Sequence, residues 1–497
     1  MNLFDLIQNT AKNSPHKDAV IMQGEHYTYN QLLENIYDFS LILERFGIKA
    51  QQKVGLMFPN GADYIVAFFS ILHCDAIAIP ISSDLRTEDI KQILTEMEIE
   101  NLIVHHDYVN LFDTENIVFH KCELPTGRGR TTSAAIASVE GISISLDSKN
   151  LSQIHVANIR FTSGTTSSSK GVVLSHGTIY KRIITANKFF KINEKDTIIW
   201  TLSMAHHFAV TICCHLSVGA TIVISTSLLP DYLLNLIQQY KGTILYATPM
   251  LYRFLTMLSS KQVDTLNTMR LCISTAMSLN PHIVKEFYQA YHFPITNAYG
   301  LIEVGIPLVN TLDNPEKTGS VGKPIQDFEV KIFDKNNNEL RSGETGHLGL
   351  QGPGMLDAYY KPWRPQKEIL RNGWFISGDL AKKDDDGFFY IVGRDTDIIN
   401  VGGMKVFPYE VEDVLCAYPG IKEACVIGED DRRFGQIVKA YIVPFKGEQI
   451  SKGDLLRFCE KRISFFKVPK KIEFVDSLPK TSTGKILRRK LKLTKNE

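Results

Sequence analysis

The sequence lacks the features that mark secreted, zinc-binding and membrane-spanning proteins. Its 497 residues include only 8 cysteines, with no Cys-x-x-Cys pair, which excludes a disulfide framework and a zinc-finger type of site. No apolar run reaches the roughly 20 residues that a membrane helix needs, and the N-terminus has no basic region followed by a long apolar one. We therefore expect a cytoplasmic protein without stable membrane insertion.

An excess of charge of one sign is also missing. Lys and Arg number 55 against 54 Asp and Glu, so attraction to nucleic acid through bulk charge is excluded and small molecules are the expected partners. The chain is too long for one ordinary hydrophobic core, which predicts at least two domains.

The stretch from Arg160 to His176, R-F-T-S-G-T-T-S-S-S-K-G-V-V-L-S-H, has the composition of an anion-binding loop. Every residue between 162 and 169 except Gly164 carries a hydroxyl group, and hydroxyls with backbone N–H groups on a turn suit a polyphosphate. A solvated Ser/Thr-rich linker is the alternative, although linkers seldom lie between two apolar runs. Because Lys170 precedes Gly171, the spacing differs from the Walker loop, and an ordinary P-loop kinase or ATPase is disfavoured.

This stretch resembles the signature loop of the adenylate-forming superfamily, T-S-G-T-T-G-x-P-K-G-V, found in acyl-CoA synthetases, peptide-synthetase adenylation domains and luciferases. Ser167 and Ser169 stand where the family has Gly and Pro. The loop therefore lacks a glycine that can adopt a positive φ and a proline that makes a turn rigid. The resemblance implies that the loop binds ATP, that Lys170 is catalytic and that Thr166 contributes to a metal site. The nucleotide-binding residues that it implies here are Thr162, Ser163, Gly164, Thr165, Thr166 and Lys170.

Helical patterns alternate with apolar runs on both sides of the loop, which predicts an α/β fold of layered, largely parallel sheets. Dense turn signals from Ser320 to Ile391 predict a small β-barrel or meander. The resemblance implies an adenylation (AMP-binding) domain over residues 1–393 and a small, mobile α+β domain over residues 394–497. Thr396 stands at the family's hinge position, which is usually Asp or Lys.

The tract S-M-A-H-H-F, residues 203–208, follows a predicted strand. In the family this tract lines the acyl pocket, so the resemblance implies that His206 and His207 contact the substrate acid. Relatives that activate amino acids have an Asp here, and without it a buried ammonium would lack its counter-charge. An amino acid is thus disfavoured, and an aromatic acid stays open because A-H-H-F is similar to A-H-N-F of aryl-acid activators.

The segment T-N-A-Y-G-L-I-E-V, residues 296–304, resembles the family motif Y-G-x-T-E. It implies that Tyr299 stacks on adenine and that Glu303 is catalytic and holds Mg²⁺, while Ile302 replaces a threonine that contacts the α-phosphate. Asp379 in S-G-D-L and Arg394 in G-R-D-T-D resemble the residues that bind ribose. The further nucleotide contacts implied are Ser274, Thr275, Ala276, Asn297, Ala298 and Gly300.

Side-chain volume adds an expectation about the acyl pocket. Thr275, Ala276 and Ala298 stand where many relatives have Gly, and Ala298 is expected to face the substrate. The pocket should therefore be short.

Near the C-terminus, P-K-T-S-T-G-K-I-L-R-R-K-L resembles the family segment that carries a catalytic lysine, here Lys485. Gly402 and Gly403 correspond to a loop that leaves room for a pantetheine arm. The implied cofactors are ATP, Mg²⁺ and coenzyme A, or the phosphopantetheine of an acyl carrier protein. A small carboxylic acid is the implied substrate, and a homodimer is left open.

These motifs occur in one order over nearly the whole chain, and we expect an ATP-dependent acid–thiol ligase most similar to acyl-CoA synthetases. Such an enzyme forms an acyl-AMP, releases pyrophosphate and transfers the acyl group to a thiol. One alternative is a ligase that loads a separate carrier protein. The other is a weakened enzyme retained as a nucleotide- or acyl-binding protein, suggested by Ser167, Ser169, Ile302 and Thr396.

Overall fold

The structure, a computed structural model, describes residues 1–112, 117–127, 130–141, 144–162, 170–258, 263–480 and 486–493. In the N-terminal third, local capping sets helix limits: Thr28 and Gln31 form a capping box at the start of one helix, and Gly47, at φ 100°, ends it. The helices of this third are α1 (Phe4–Asn13), α2 (Tyr29–Phe46), α3 (Ala62–His73), α4 (Thr87–Glu96) and α5 (Leu146–Leu151). Its strands are β1 (Asp18–Met22), β2 (Glu25–Thr28), β3 (Lys53–Met57), β4 (Ile77–Pro80), β5 (Asn101–His105), β6 (His120–Gly127), β7 (Arg130–Ser138) and β8 (Val156–Thr162).

In the middle of the chain, three helices begin with a proline, whose fixed φ suits the first helical turn. The helices are α6 (His176–Phe190), α7 (Met204–His207), α8 (Cys213–Ser217), α9 (Pro230–Gln239), α10 (Pro249–Thr256) and α11 (Pro281–Tyr291). The strands are β9 (Lys170–Ser175), β10 (Thr197–Trp200), β11 (Thr221–Ile224), β12 (Ile244–Ala247), β13 (Leu271–Ser274), β14 (Thr296–Leu301) and β15 (Gly305–Asn310).

The last third is dominated by strands. They are β16 (Lys323–Pro324), β17 (Glu329–Phe333), β18 (Thr345–Gln351), β19 (Ala358–Tyr360), β20 (Arg364–Pro365), β21 (Phe375–Lys383), β22 (Phe389–Arg394), β23 (Ile399–Val401), β24 (Met404–Val406), β25 (Ile421–Asp431), β26 (Gly435–Pro444) and β27 (Lys471–Phe474). The helices are α12 (Gln366–Ile369), α13 (Pro408–Cys416), α14 (Lys452–Glu460) and α15 (Arg488–Leu493).

Two nine-stranded sheets form the larger part of the molecule. Their strand orders are β16-β15-β14-β13-β12-β10-β11-β1-β2 and β20-β19-β9-β8-β4-β3-β5-β7-β6. The central strands β10 to β14 of the first sheet pair in parallel. One continuous core contains Leu56 of the second sheet, Ile198 of the first, and Phe39 and Phe68 of the helices α2 and α3. The predicted layered α/β architecture is confirmed.

The region expected to form a small barrel gives a four-stranded antiparallel sheet, β17-β18-β21-β22. The short strand β19, from the same region, instead pairs with β9 at the edge of a nine-stranded sheet. A smaller C-terminal part has its own sheet, β24-β23-β26-β25 with β27 on β26, and its own core around Val411, Leu415 and Val426.

Strands β22 and β23 belong to different sheets, and a turn at residues 395–397 joins them. The predicted domain limit at 393/394 and the mobility of the C-terminal part stay predictions. In this arrangement Arg253 of α10 donates hydrogen bonds to the backbone oxygens of Ile421 and Lys422 in β25, at 3.0 and 2.7 Å. Within the described ranges, every helix is too short or too polar to cross a membrane.

Candidate active site

A cleft of about 1220 Å³ opens where the strands β10, β12, β13 and β14 end. In sheets with parallel strands, ligands bind outside the carboxyl ends of the strands. The wall of the cleft combines residues from both nine-stranded sheets, the four-stranded sheet and the turn that leads into the C-terminal part. The predicted site residues that line it are Lys170, His206, His207, Thr275, Ala276, Gly300, Glu303, Asp379, Arg394 and Thr396.

Strands β8 and β9 hold the two ends of the predicted phosphate loop. Thr162 and Lys170 are paired across this antiparallel hairpin, so the loop begins and ends at one edge of the cleft. The Nζ atom of Lys170 lies 4.9 Å from the ring centre of Tyr359, a cation–π contact. Ser163, Gly164, Thr165 and Thr166 lie outside the described residues, and their contacts with phosphate stay predictions.

Glu303 is held at the cleft by the strand that carries Tyr359. The Tyr359 hydroxyl donates to Oε1 of Glu303 at 3.1 Å, and the backbone oxygen of Glu303 accepts from Leu356 N at 2.7 Å. Burial, and then the Glu303 carboxylate, raise the pKa of Tyr359, so this hydroxyl stays protonated and donates. A single carboxylate facing a polyphosphate fits the way proteins bind Mg²⁺, and this donor set suits the predicted metal.

Asp379 and Arg394 face each other because β21 and β22 pair them directly. Arg394 Nε donates to Oδ1 of Asp379 at 3.1 Å, and the Tyr299 hydroxyl donates to Oδ2 at 2.6 Å. Burial, and then the Asp379 charge, raise the pKa of Tyr299 well above its usual value. A carboxylate has about four acceptor positions, so Asp379 can still accept hydrogen bonds from ribose hydroxyls.

Several predicted nucleotide contacts lie beneath the cleft and not on its wall. Ser274 and Ala298 are buried at the ends of neighbouring strands, and Asn297 Nδ2 donates to the backbone oxygen of Ser320 at 3.4 Å. Thr275 lies on the cleft wall and is linked to this buried layer, because its hydroxyl donates to the backbone oxygen of Ala298 at 3.0 Å. The structure therefore does not place Ala298 in a substrate pocket, and its predicted contacts stay untested.

Gly402 and Gly403 form the turn between β23 and β24, with φ of 57° and 87°. A side chain is disfavoured in this left-handed conformation. Both glycines are exposed and stand outside the lining of the cleft in this arrangement. Lys485 lies outside the described residues, whereas the next two residues, Ile486 and Leu487, line the cleft.

The acyl tract forms helix α7 and is positioned by Asn60. The side chain of Asn60 accepts from Met204 N and donates to Leu202 O, both at 2.8 Å. Burial, and then the neighbouring charge of Arg160, lower the pKa of His206 and of His207 to about 3. Both imidazoles are therefore neutral near pH 7.

Two side chains at this site were not predicted. Tyr359 contacts both Lys170 and Glu303, and Arg160 lies 3.4 Å from His206, Nη2 to Nδ1. The sequence did contain a signal for Arg160. The run from Ile154 to Phe161 is largely apolar, and Arg160 and His155 are its only residues with an ionisable side chain.

The replacement of Ile302 by Thr is expected to speed adenylation. Ile302 lines the cleft beside Glu303, and Arg182 Nη1 fixes its backbone oxygen at 2.8 Å, so the exchange should change the side chain alone. A hydroxyl donor to a charge that develops in the transition state contributes on the order of 10²–10³ in rate. The measurement is acid-dependent pyrophosphate exchange, with Ile302→Val as a control of the same shape without the hydroxyl. Equal rates for the two variants would mean that another hydroxyl already serves the α-phosphate.

The replacement of Ala276 by Gly is expected to stabilise the fold. Ala276 has a φ of 72°, a conformation that costs a residue with a Cβ about 1–2 kcal/mol. Allowing for the greater unfolded-state entropy of glycine, we expect the free energy of unfolding to rise by roughly 0.5–1 kcal/mol. Denaturant titration measures it, and Ala209→Gly, at another alanine of the cleft outside the left-handed region, should destabilise. A loss of stability in both variants would contradict the strain at Ala276.

Comparison with known proteins agrees with this geometry. Residues 7–360 match the model of the AMP-binding enzyme family, and residues 410–485 match that of the AMP-binding enzyme C-terminal domain. The chain therefore belongs to the AMP-binding enzyme family, and the predicted membership of the adenylate-forming superfamily is confirmed.

Within this family the chain is related to CoA ligases over nearly its full length. It is 29% identical to a probable CoA ligase, CCL9, of Humulus lupulus, covering 98% of this chain and 95% of the relative. It is 27% identical to a feruloyl-CoA synthase of Amycolatopsis sp, covering 96% of each. The crystal structure of ATP-bound MatB from Rhodopseudomonas palustris aligns with a TM-score of 0.84 at 25% identity, covering 99% of both chains. The chain is thus an enzyme of the acyl-CoA ligase type.

Proposed function

We propose that this enzyme activates a carboxylic acid with ATP and transfers the acyl group to the thiol of coenzyme A. One observation supports this more than any other: Lys170 of β9, Glu303 of the turn between β14 and β15, and Asp379 of β21 line one cleft together with the acyl tract. Lys170 supplies a cation, Glu303 a hard oxygen ligand and Asp379 an acceptor for ribose hydroxyls. This combination suits an enzyme that forms an acyl-AMP.

In the first half-reaction a carboxylate oxygen of the acid attacks the α-phosphorus of ATP. A new O–P bond forms, the bond between the α- and β-phosphates breaks, and pyrophosphate leaves. Lys170 offsets the phosphate charge, while Asp379 and Arg394 orient the ribose. Mg²⁺ held by Glu303 would neutralise the charge of the departing pyrophosphate. Tyr359 positions both charged groups, since its hydroxyl contacts Glu303 and its ring lies against Lys170.

The acid lies at the acyl tract, where two neutral imidazoles and the Arg160 guanidinium face the cleft. An amino acid would bring an ammonium group against this guanidinium without a counter-charge from the tract, which is costly in a partly buried site. We therefore propose an acid without an α-amino group.

In the second half-reaction the thiol attacks the acyl carbonyl and AMP leaves. Gly402 and Gly403 would admit the pantetheine arm, but in this arrangement they stand outside the cleft. We propose that the C-terminal part rotates about Thr396, which lies on the cleft wall in the turn between β22 and β23. The two half-reactions would then use the same cleft in turn.

The test is a panel of aliphatic and aryl acids in acid-dependent exchange of labelled pyrophosphate into ATP. Active acids are then incubated with ATP and either coenzyme A or a phosphopantetheinylated carrier protein, and thioesters are detected by mass spectrometry. Exchange followed by an acyl-CoA product supports the proposal. Exchange with transfer only to the carrier overturns the choice of acceptor, and nucleotide binding without exchange for any acid overturns the enzymatic function.

A further inference from the structure

Arg160 brings a charged guanidinium to the acyl end of the cleft. It is half-buried near the end of β8, lines the cleft, and donates one hydrogen bond, to His206 Nδ1 at 3.4 Å. Among the residues that the structure describes, no carboxylate lies within ion-pair distance of it. Its one hydrogen bond within these residues is a long one to a neutral ring.

Other partly buried arginines of the chain have matched partners. Arg394 pairs with Asp379, and Arg488 pairs with Glu412. Arg182, the other arginine in the wall of the cleft, donates to the backbone oxygens of Ile302 and Gly354. Within the described residues, Arg160 has neither a carboxylate nor a carbonyl in such a position.

A half-buried charge without a carboxylate in direct contact is costly. Burial lowers the pKa of Arg160 only to about 10, and Tyr64 and Glu303 oppose that shift, so the guanidinium stays charged at neutral pH. The site therefore holds a cation that an anion entering the cleft would stabilise. A guanidinium binds a carboxylate with two parallel hydrogen bonds, which makes this recognition specific.

The neighbours of Arg160 belong to the acyl end of the site. His206 is in the acyl tract, and Tyr64 lies near enough to interact with the guanidinium electrostatically. The ring of Tyr64 packs 5.3 Å from that of Phe208, which follows the tract, while its fully buried hydroxyl has no hydrogen-bond partner within the described part of the chain. This buried hydroxyl is not part of the cleft lining, so Arg160 and His206 are the groups here that a ligand in the cleft can reach.

We propose that the acid activated by this enzyme carries a second carboxylate, which Arg160 binds in the acyl pocket. The inference rests on the proposed acid activation and names its substrate class, a dicarboxylic acid with an aliphatic or an aromatic spacer. One carboxylate reacts with ATP, and the other is held by Arg160, with His206 beside it. A monocarboxylic acid of the same length would leave the guanidinium with only the more distant charge of Glu303 to oppose it.

The experiment compares matched pairs of acids in pyrophosphate exchange: butyrate with succinate, hexanoate with adipate, and benzoate with phthalate. We expect the wild-type enzyme to favour the dicarboxylate of at least one pair by tenfold or more in kcat/KM, and the pair identifies the spacer. Arg160→Met should lower the kcat/KM for the preferred dicarboxylate by about 100-fold. The kcat/KM for the matched monocarboxylate should stay within about threefold of the wild-type value. Arg371→Met, at an exposed arginine that also lines the cleft, serves as the matched control and should change neither.

Two results would overturn the inference while the proposed function stands. The wild-type enzyme could favour the monocarboxylate in every pair, or Arg160→Met could lower both members of a pair equally, which would place Arg160 at the reacting carboxylate or the phosphates. If no acid supports exchange, the proposed function fails and takes this inference with it.

Binding gives a readout that does not depend on turnover. The preferred dicarboxylate alone should raise the melting temperature of the wild-type and Arg371→Met proteins but not that of Arg160→Met. Arg160→Gln replaces Arg160→Met if the latter does not fold. A shift of the same size in the Arg160 variant would contradict the proposal.

Discussion

Replacing Asp379 by Ala is expected to raise the KM for ATP and to lower kcat/KM in acid-dependent pyrophosphate exchange by about 10²-fold or more. A hydrogen bond to a charged acceptor contributes about 1.5–3 kcal/mol, and Asp379 would accept one from each ribose hydroxyl. The substitution also removes the acceptor of Arg394 and of the Tyr299 hydroxyl. Kinetics at varied ATP concentration, with saturating acid, measure the effect.

Two controls separate ribose binding from a general loss of structure. Asp386→Ala makes the same chemical change at an exposed residue near β21, where the carboxylate pairs with Lys317, and should leave the KM for ATP unchanged. Tyr299→Phe removes one hydrogen bond of Asp379 and keeps the aromatic ring, so a smaller effect is expected. An unaltered KM for ATP in Asp379→Ala, or an equal rise in Asp386→Ala, would contradict the proposed ribose contact.

Motif spacing could predict Asp379 and Arg394 because both belong to short, recognisable segments. The structure adds that the β21–β22 pairing sets them face to face and that Tyr299 completes the cluster. Pairing of this kind is not readable from a motif, since it depends on how distant strands align.

Tyr359 shows what a single sequence hides. The edge strand β19 carries no chemical motif, and its role arises only because it pairs with β9, opposite Val172. That pairing brings the Tyr359 hydroxyl to Glu303 and its ring to Lys170. A contact that depends on a strand entering a sheet from far along the chain requires the folded structure.

Ala298 shows another limit, because its predicted contacts with the substrate stay untested. Ala298 is buried within β14, although Gly300, two residues further along the same strand, lines the cleft. Near Ala298, the residues on the cleft wall are Thr275 and Gly300. A motif gives the order of residues but not how deeply the fold buries each of them.

The second large effect is expected from Lys485→Ala, which should abolish pyrophosphate exchange and spare thioester formation from supplied acyl-AMP. Lys485 itself lies outside the described residues, but Ile486 and Leu487 line the cleft. Leu487 N donates to the backbone oxygen of Pro479 at 2.8 Å, and Arg488 pairs with the buried Glu412. The chain that follows Lys485 is thus attached to the C-terminal part and faces the cleft.

A lysine delivered there would stand between the acid carboxylate and the α-phosphate, two anions that must approach each other. A cation offsets their repulsion most in the transition state, so its loss should lower exchange by roughly 10²–10³-fold. Once acyl-AMP exists that repulsion is gone, and the rotated C-terminal part would carry the lysine away. Thioester formation from acyl-AMP and coenzyme A, followed by mass spectrometry, should therefore stay within a few-fold of the native rate.

The matched control is Lys492→Ala, an exposed lysine on α15 in the same terminal segment, which should leave both half-reactions unchanged. Equal loss of both half-reactions in Lys485→Ala would contradict a C-terminal part that alternates between two positions, because the lysine would then act in a single arrangement. Loss of neither would place Lys485 among the solvated residues of the terminal segment. Selective loss of exchange, with the Lys492 variant unaffected, requires that the lysine acts only before acyl-AMP is formed, which is what rotation about Thr396 predicts.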